Sequence, residues 1–324
     1  MKRTFLIAVM MLAMATSAYC HDEPPVFSQE LYEQATTEND PAAQWAVGEC
    51  YALGRGVPQD TTEALQWFHR AADQNVQYLT CIANCYENGI YLPQNYARAF
   101  QYYNQAAKQN DFVALWCVGE FYLHGYSVAP DTTEALQWFE RAAAIDPSYR
   151  WALGEHYLDG DIVTKDVGRA IQYFEQAAEQ EDYLRMILAE RYIEGNQIPQ
   201  NLKRGFECYL ASAQNDFCSA QWKTGECYAN GIGVERDPAK ALQWFERAAA
   251  DDDSFKWDLG VRLATGNGVT KDAARALQWF ESAADDNAYY QKMLGECYQK
   301  GKYVAKDKKR AAMWLQRAKQ NQQQ

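Results

Sequence analysis

Two residue types recur along this chain at a spacing that suits the capture of cations. Trp45, Trp116, Trp151, Trp222 and Trp257 share one register, and Glu49, Glu120, Glu155, Glu190, Glu226 and Glu296 share a second, four residues further on. Positions four apart lie on one face of a helix. An indole attracts a cation over its ring, and a carboxylate pairs with lysine or arginine and steers its approach. Side by side, the two types describe a partner-binding face for a basic protein segment. The plainer use of the carboxylates is a solvated surface that serves solubility alone.

Other chemistry finds little footing. The four histidines, at 21, 69, 124 and 156, have no Cys or His partner at ligand spacing, so neither a metal nor another cofactor is expected. Neither Gly-x-Ser-x-Gly nor Ser-x-x-Lys occurs, so no catalytic residue is assigned. Of the nine cysteines, Cys50, Cys85, Cys227 and Cys297 recur at one position, and Cys81 and Cys117 share another. A cysteine that recurs at one structural place reads as a small buried hydrophobe with a free thiol. Cys208 with Cys218 is the best candidate for an isolated disulfide.

The elements that must hold these side chains are visible as a repeat. Tyr51, Tyr86, Tyr122, Tyr157, Tyr192, Tyr228, Leu263 and Tyr298 form a ladder with steps of 35 or 36 residues. Three residues after each stands a glycine, Gly54, Gly89, Gly125, Gly160, Gly195, Gly231, Gly266 and Gly301; nine residues after each stands Asp or Asn. The glycine ends one helix by accepting a left-handed conformation. The Asp or Asn caps the next, and Glu63 after Asp60 completes the signature of a capping box. Ala64 and Ala71, thirteen and twenty residues past the tyrosine, allow two helices to approach closely; the fifth repeat differs, with Gly205 and Ser212. Each period is thus a helix hairpin that cannot bury enough surface alone and must stack on its neighbours.

Segments such as Ala43-Gln-Trp-Ala-Val-Gly-Glu-Cys-Tyr51-Ala-Leu-Gly54-Arg-Gly56-Val-Pro-Gln-Asp60 resemble the Sel1-like repeats, relatives of the tetratricopeptide repeats. The resemblance implies an all-α fold, a right-handed α/α superhelical solenoid of eight hairpins over residues 41–318. The hairpins run over about 41–75, 76–110, 111–146, 147–181, 182–216, 217–252, 253–287 and 288–318. Repeats two and five are weakest, since Ile90-Tyr91 and Asn196-Gln197 replace the glycine-rich turn. By analogy with tetratricopeptide repeats, the Trp and Glu columns would line the concave face. The resemblance also supplies a competing role for the indoles, which in this family wedge adjacent first helices together. Residues 21–40 read as an N-terminal segment with a capping helix from Ser28 to Asn39, and 319–324 as a frayed glutamine-rich tail.

Residues 1–20 read as a signal peptide: Lys2 and Arg3, an apolar run from Phe5 to Ala15, then cleavage after Cys20, with Ala18 the rival. The run is too short to span a bilayer, and no later segment is apolar enough. A periplasmic or secreted protein is expected. Loss of those residues moves the formal charge from −12 to −14, which argues against nucleic acid as a partner. The expected function is that of an exported adaptor for a protein with a basic segment. The alternatives are a cell-wall or β-lactam-directed hydrolase and a glycan-binding module.

Overall fold

A computed structural model describes residues 24–250 and 252–321, so the expected signal peptide lies outside the described residues. Among these residues every regular element is an α-helix. The chain divides into two compact units, residues 1–180 and 181–324. In the first, α1 (Gln29–Thr36) precedes four hairpins: α2 (Pro41–Leu53) with α3 (Thr61–Ala72), α4 (Gln77–Asn88) with α5 (Tyr96–Ala107), α6 (Phe112–His124) with α7 (Thr132–Ile145), and α8 (Pro147–Asp159) with α9 (Val167–Ala178). The second holds α10 (Asp182–Glu194) with α11 (Leu202–Gln214), α12 (Cys218–Asn230) with α13 (Pro238–Ala248), α14 (Asp253–Thr265) with α15 (Ala273–Ala283), and α16 (Ala288–Lys300) with α17 (Lys308–Asn321). Helix α17 continues to Asn321, so the glutamine-rich end is helical through residues 319–321.

The eight ladder glycines end the first helices with φ between 67° and 79°, the left-handed cap expected from their spacing. At the other end of the loop, Asp60 accepts from the Thr62 and Glu63 N–H groups at 2.8 and 3.0 Å; Asp131, Asp237, Asp272 and Asp307 cap in the same way, and Asn95, Asp166 and Asn201 accept only from the residue three further on. The reciprocal half of the capping box is replaced by another bond. The Asp60 N–H donates instead to the carbonyl of Tyr51 at 2.9 Å. The same bond closes all eight hairpins at 2.7–3.0 Å, including Asp272 onto Leu263. Because it uses only backbone atoms, leucine at the ladder position leaves it intact. Where tyrosine is present its hydroxyl can add a second tie: Tyr86, Tyr157 and Tyr298 accept from Arg98, Arg169 and Arg310 at 2.9, 2.9 and 3.0 Å.

Inside each hairpin the two helices meet where side chains are smallest. A β-carbon placed on Gly48 would lie 2.5 Å from the Phe68 ring, and Gly119, Gly154, Gly225 and Gly260 stand likewise against Phe139, Phe174, Phe245 and Phe280. The fifth hairpin reverses the arrangement. Ala189 replaces the first-helix glycine, and Gly205 on α11 gives up the methyl, its own added β-carbon falling 2.6 Å from Ile193 and 3.0 Å from the Ala189 carbonyl. The departure seen in the sequence at Gly205 thus moves the glycine of the close approach to the second helix. In the second repeat Tyr91 takes φ 64°, the left-handed conformation of Gly56 in the first, and its ring lies 6.2 Å from Phe68 of the preceding hairpin.

Candidate functional site

The first helices of the hairpins carry both columns, and burial separates the two. Trp45, Trp116, Trp151, Trp222 and Trp257 are between 1% and 8% exposed. Each indole lies 4.1–4.6 Å, centre to centre, from the phenylalanine of its own second helix. Four of them also touch an aromatic ring of the next first helix: Tyr78, Tyr149, Phe255 and Tyr290. These four are wedges between successive hairpins, and with all five indoles buried the accessible indole border expected on the partner-binding face gives way to packing. Rings of this size bring the most apolar area per side chain to such a junction. On the second helices, Trp67, Trp138, Trp244 and Trp314 are covered in turn by the arginine three residues on, 4.2–5.5 Å from the ring centre.

The carboxylates fall into distinct environments. Glu49 and Glu155 are 0% and 5% exposed and accept from the Nε1–H of Trp45 and Trp151 at 3.0 and 2.9 Å, so they belong to the interior rather than to an open stripe. The spacing of four that placed both types on one face is what lets the indole reach the acid. Glu120 pairs with His124 at 3.1 Å and Glu296 with Lys300 at 3.2 Å. Glu190 is half-buried on α10, close enough to the buried Tyr209 to help raise its hydroxyl pKa; burial is the larger cause, and Glu226 and Glu194 contribute as well.

Glu226 shows what this face can hold. It accepts from Arg262 at 2.7 Å and also faces Lys223 at 3.4 Å. The Arg262 guanidinium lies 5.1 Å from the centre of the Trp222 ring and 4.4 Å from that of Phe245. A cation is thus seated by charge pairing and ring faces together, although the arginine comes from the next repeat of the same chain. In the first unit His156 occupies the corresponding place, stacked 5.7 Å from Trp116 and 5.8 Å from Phe139. Its Nδ1 meets Asp161 at 3.0 Å. Burial alone would raise the Asp161 pKa; the bond to His156 and the backbone N–H groups outweigh it and hold the carboxyl below its ordinary value.

Both residues stand directly before the ladder position, the column that holds cysteine in four repeats. The signal that could have found them is the basic side chain, His156, Arg191 or Arg262, in a series otherwise made of four cysteines and Phe121.

The cysteines of the described residues all stand as thiols, Cys208 and Cys218 included, so the expected candidate disulfide is not formed. The Cys218 sulfur instead faces the Asp216 carbonyl at 3.9 Å. Burial pushes Cys50 up to about 11, with Glu49 adding to the effect, and Cys227 up to about 12. Among the described residues no group of His, Cys, Asp and Glu could hold a metal ion, and no helix is long and apolar enough to cross a membrane.

The family model of the Sel1 repeat matches eight segments, 41–76, 77–111, 113–146, 147–182, 186–217, 218–253, 256–287 and 288–322. The chain belongs to the Sel1 repeat family. Sel1 repeats typically mediate protein–protein interaction and are generally scaffolds rather than catalysts. Among solved structures, the chain is similar to a protective antigen of uropathogenic Escherichia coli strains with the Sel1-like repeat fold, at 29% identity and a TM-score of 0.50. The match covers 91% of this chain and 64% of that one, so the chain spans less than two thirds of that relative. A Sel1 repeat protein from Oxalobacter formigenes matches at 24% identity and a TM-score of 0.51, covering 97% of this chain and 89% of that one, and supports the fold alone. Comparison with curated proteins gives no match.

Proposed function

We propose that this Sel1 repeat protein is an exported interaction scaffold whose first-helix faces receive lysine or arginine side chains of a protein partner. The observation that carries the reading is Arg262, held between the Glu226 carboxylate and the rings of Trp222 and Phe245. That seat combines the two attractions the Trp and Glu columns suggested, with the indole acting from a partly covered ring rather than an open one. Glu120, Glu190, Glu226 and Glu296 are the expected carboxylates that keep some exposure and to which, among the described residues, no indole donates. Export rests on the basic and apolar start of the chain, and the description of one structural relative as a protective antigen agrees with a place outside the cytoplasm.

The test is capture of immobilised peptides rich in Lys or Arg, compared with neutral peptides and oligosaccharides. The native protein should retain the basic peptides, and Glu120→Lys with Glu190→Lys should lose them while keeping the native helical circular dichroism. Equal capture by the charge-reversed protein, or retention of oligosaccharides only, would overturn the assignment. Cell fractionation checks export: a product shortened by about 20 residues belongs outside the cytoplasm.

A further inference from the structure

The acidity of the chain is unevenly distributed. From 288 to 324 there are nine Lys or Arg against Glu296 and Asp307, a formal charge of +7 within a protein of −12. From 24 to 75 there are two basic residues, Arg55 and Arg70, against eight acids, a formal charge of −6. The last hairpin and the stretch formed by the N-terminal segment and the first hairpin therefore carry opposite charges of similar size.

At the C-terminal end, Lys302, Lys306, Lys308, Lys309 and Lys319 are exposed, and among the described residues no carboxylate lies in ion-pair range of them. Lys309, Met313, Gln316 and Gln320 follow one another at helical spacing along α17, and Met313 is 52% exposed. Every earlier hairpin is followed by another in the chain; α17 is the last described element. At the N-terminal end, Glu30, Glu33 and Glu38 are exposed, among the described residues no lysine or arginine lies in ion-pair range of them, and Val26, four residues before Glu30, is 59% exposed. Each end thus presents an exposed apolar side chain and exposed charges that are mainly of one sign, and the signs are complementary.

We infer that the lysine-rich face of the last hairpin docks on the acidic N-terminal end of a second copy of the chain. The occupant is chosen by charge: the chain itself supplies an exposed acidic surface, with an exposed apolar side chain, that matches the basic one. The two contacting surfaces are different, so the contact is heterologous. Such a contact leaves one free end of each kind and adds copies in an open series unless the rotation closes a ring. Because exposed charges carry it, added salt weakens it.

Analytical ultracentrifugation of the purified protein at low salt should show a mass that rises with concentration and returns to that of the monomer at high salt. Lys306→Glu with Lys308→Glu and Lys309→Glu should abolish the rise, and so should Glu30→Lys with Glu33→Lys and Glu38→Lys. Mixed in equal amounts, these two charge-reversed proteins should associate again with one-to-one stoichiometry, in alternation, because the reversed tail of one meets the reversed head of the other and their unchanged ends still match. A native protein that stays monomeric at low salt, or a mixture that fails to combine, overturns the inference. So does binding of the lysine surface to vesicles of anionic phospholipid with no self-association. None of these substitutions touches Glu120, Glu190 or Arg262, so this contact and the proposed cation seat succeed or fail separately.

Discussion

Glu120 stands four residues after Trp116, as Glu49 stands after Trp45, yet its carboxylate reaches His124 at 3.1 Å and the buried Trp116 Nε1 has no hydrogen-bond partner. One sequence offset therefore yields two outcomes, decided by whether a cation lies within reach of the carboxylate, as His124 does for Glu120 and Arg262 for Glu226. The bond to Glu120 raises the His124 pKa above 6.5, against the opposing pull of burial. A pKa raised in the folded state gives stabilisation that is complete below the unfolded value and is lost as pH rises through the folded one. Since His124 is well exposed, the effect on stability is small, and titration reads it better. An NMR titration should place the His124 midpoint above 6.5, and Glu120→Gln should lower it; an unchanged midpoint would dissolve the pair.

Removing the acceptor from the other arrangement is costlier. Glu49→Ala leaves the Trp45 indole N–H buried without that bond, which should lower unfolding free energy by about 1–3 kcal/mol. Glu49→Gln keeps an acceptor at the same place and should cost less. Urea unfolding followed by circular dichroism distinguishes the two variants, and equal losses would show that the indole bond is not the reason the acid is buried.

The helix crossings make a steric prediction. Gly48→Ala drives a methyl into the Phe68 ring and should cost about 1–3 kcal/mol, with Phe68→Leu recovering part of the loss in the double variant. Gly205→Ala should be destabilising in the same range, and here the rescuing change is Ile193→Ala. Thermal melts of single and double variants give the coupling; strict additivity would mean that the contact is not what limits the approach.

Thiol labelling at neutral pH should sort the cysteines by depth. Cys50 and Cys227, buried and raised to about 11 and about 12, are protonated there and shielded, and Cys81, Cys85, Cys117 and Cys297 are buried too. Cys208 and Cys218, half-buried, should be alkylated first. Mass spectrometry of the native protein after brief exposure to iodoacetamide reads the order, and early modification of Cys117 would contradict it.

The repeat boundaries were legible because they are set locally. A glycine that must be left-handed and an Asp or Asn that must cap each act within a few residues, so spacing alone located Gly54 and Asp60. The wedge role of the indoles was available from family resemblance, but which ring each one meets was not. The fate of the carboxylates was the least legible. Glu226 is decided by Arg262, 36 residues away, and Glu49 by how deeply its helix is covered. Only tertiary structure supplies those facts, and no count of glutamates at one register could separate a buried acceptor from an exposed acid. The basic last hairpin was in the sequence all along, averaged away in a single net charge.

The backbone bond from Asp60 to Tyr51 lies wholly within one period and asks nothing of either side chain. A duplicated stretch of 35 residues would carry its own closure with it, correctly formed from the first copy. Such an array can gain members, and its side chains can drift toward new tasks, before any of them has to be reinvented to keep the loop shut.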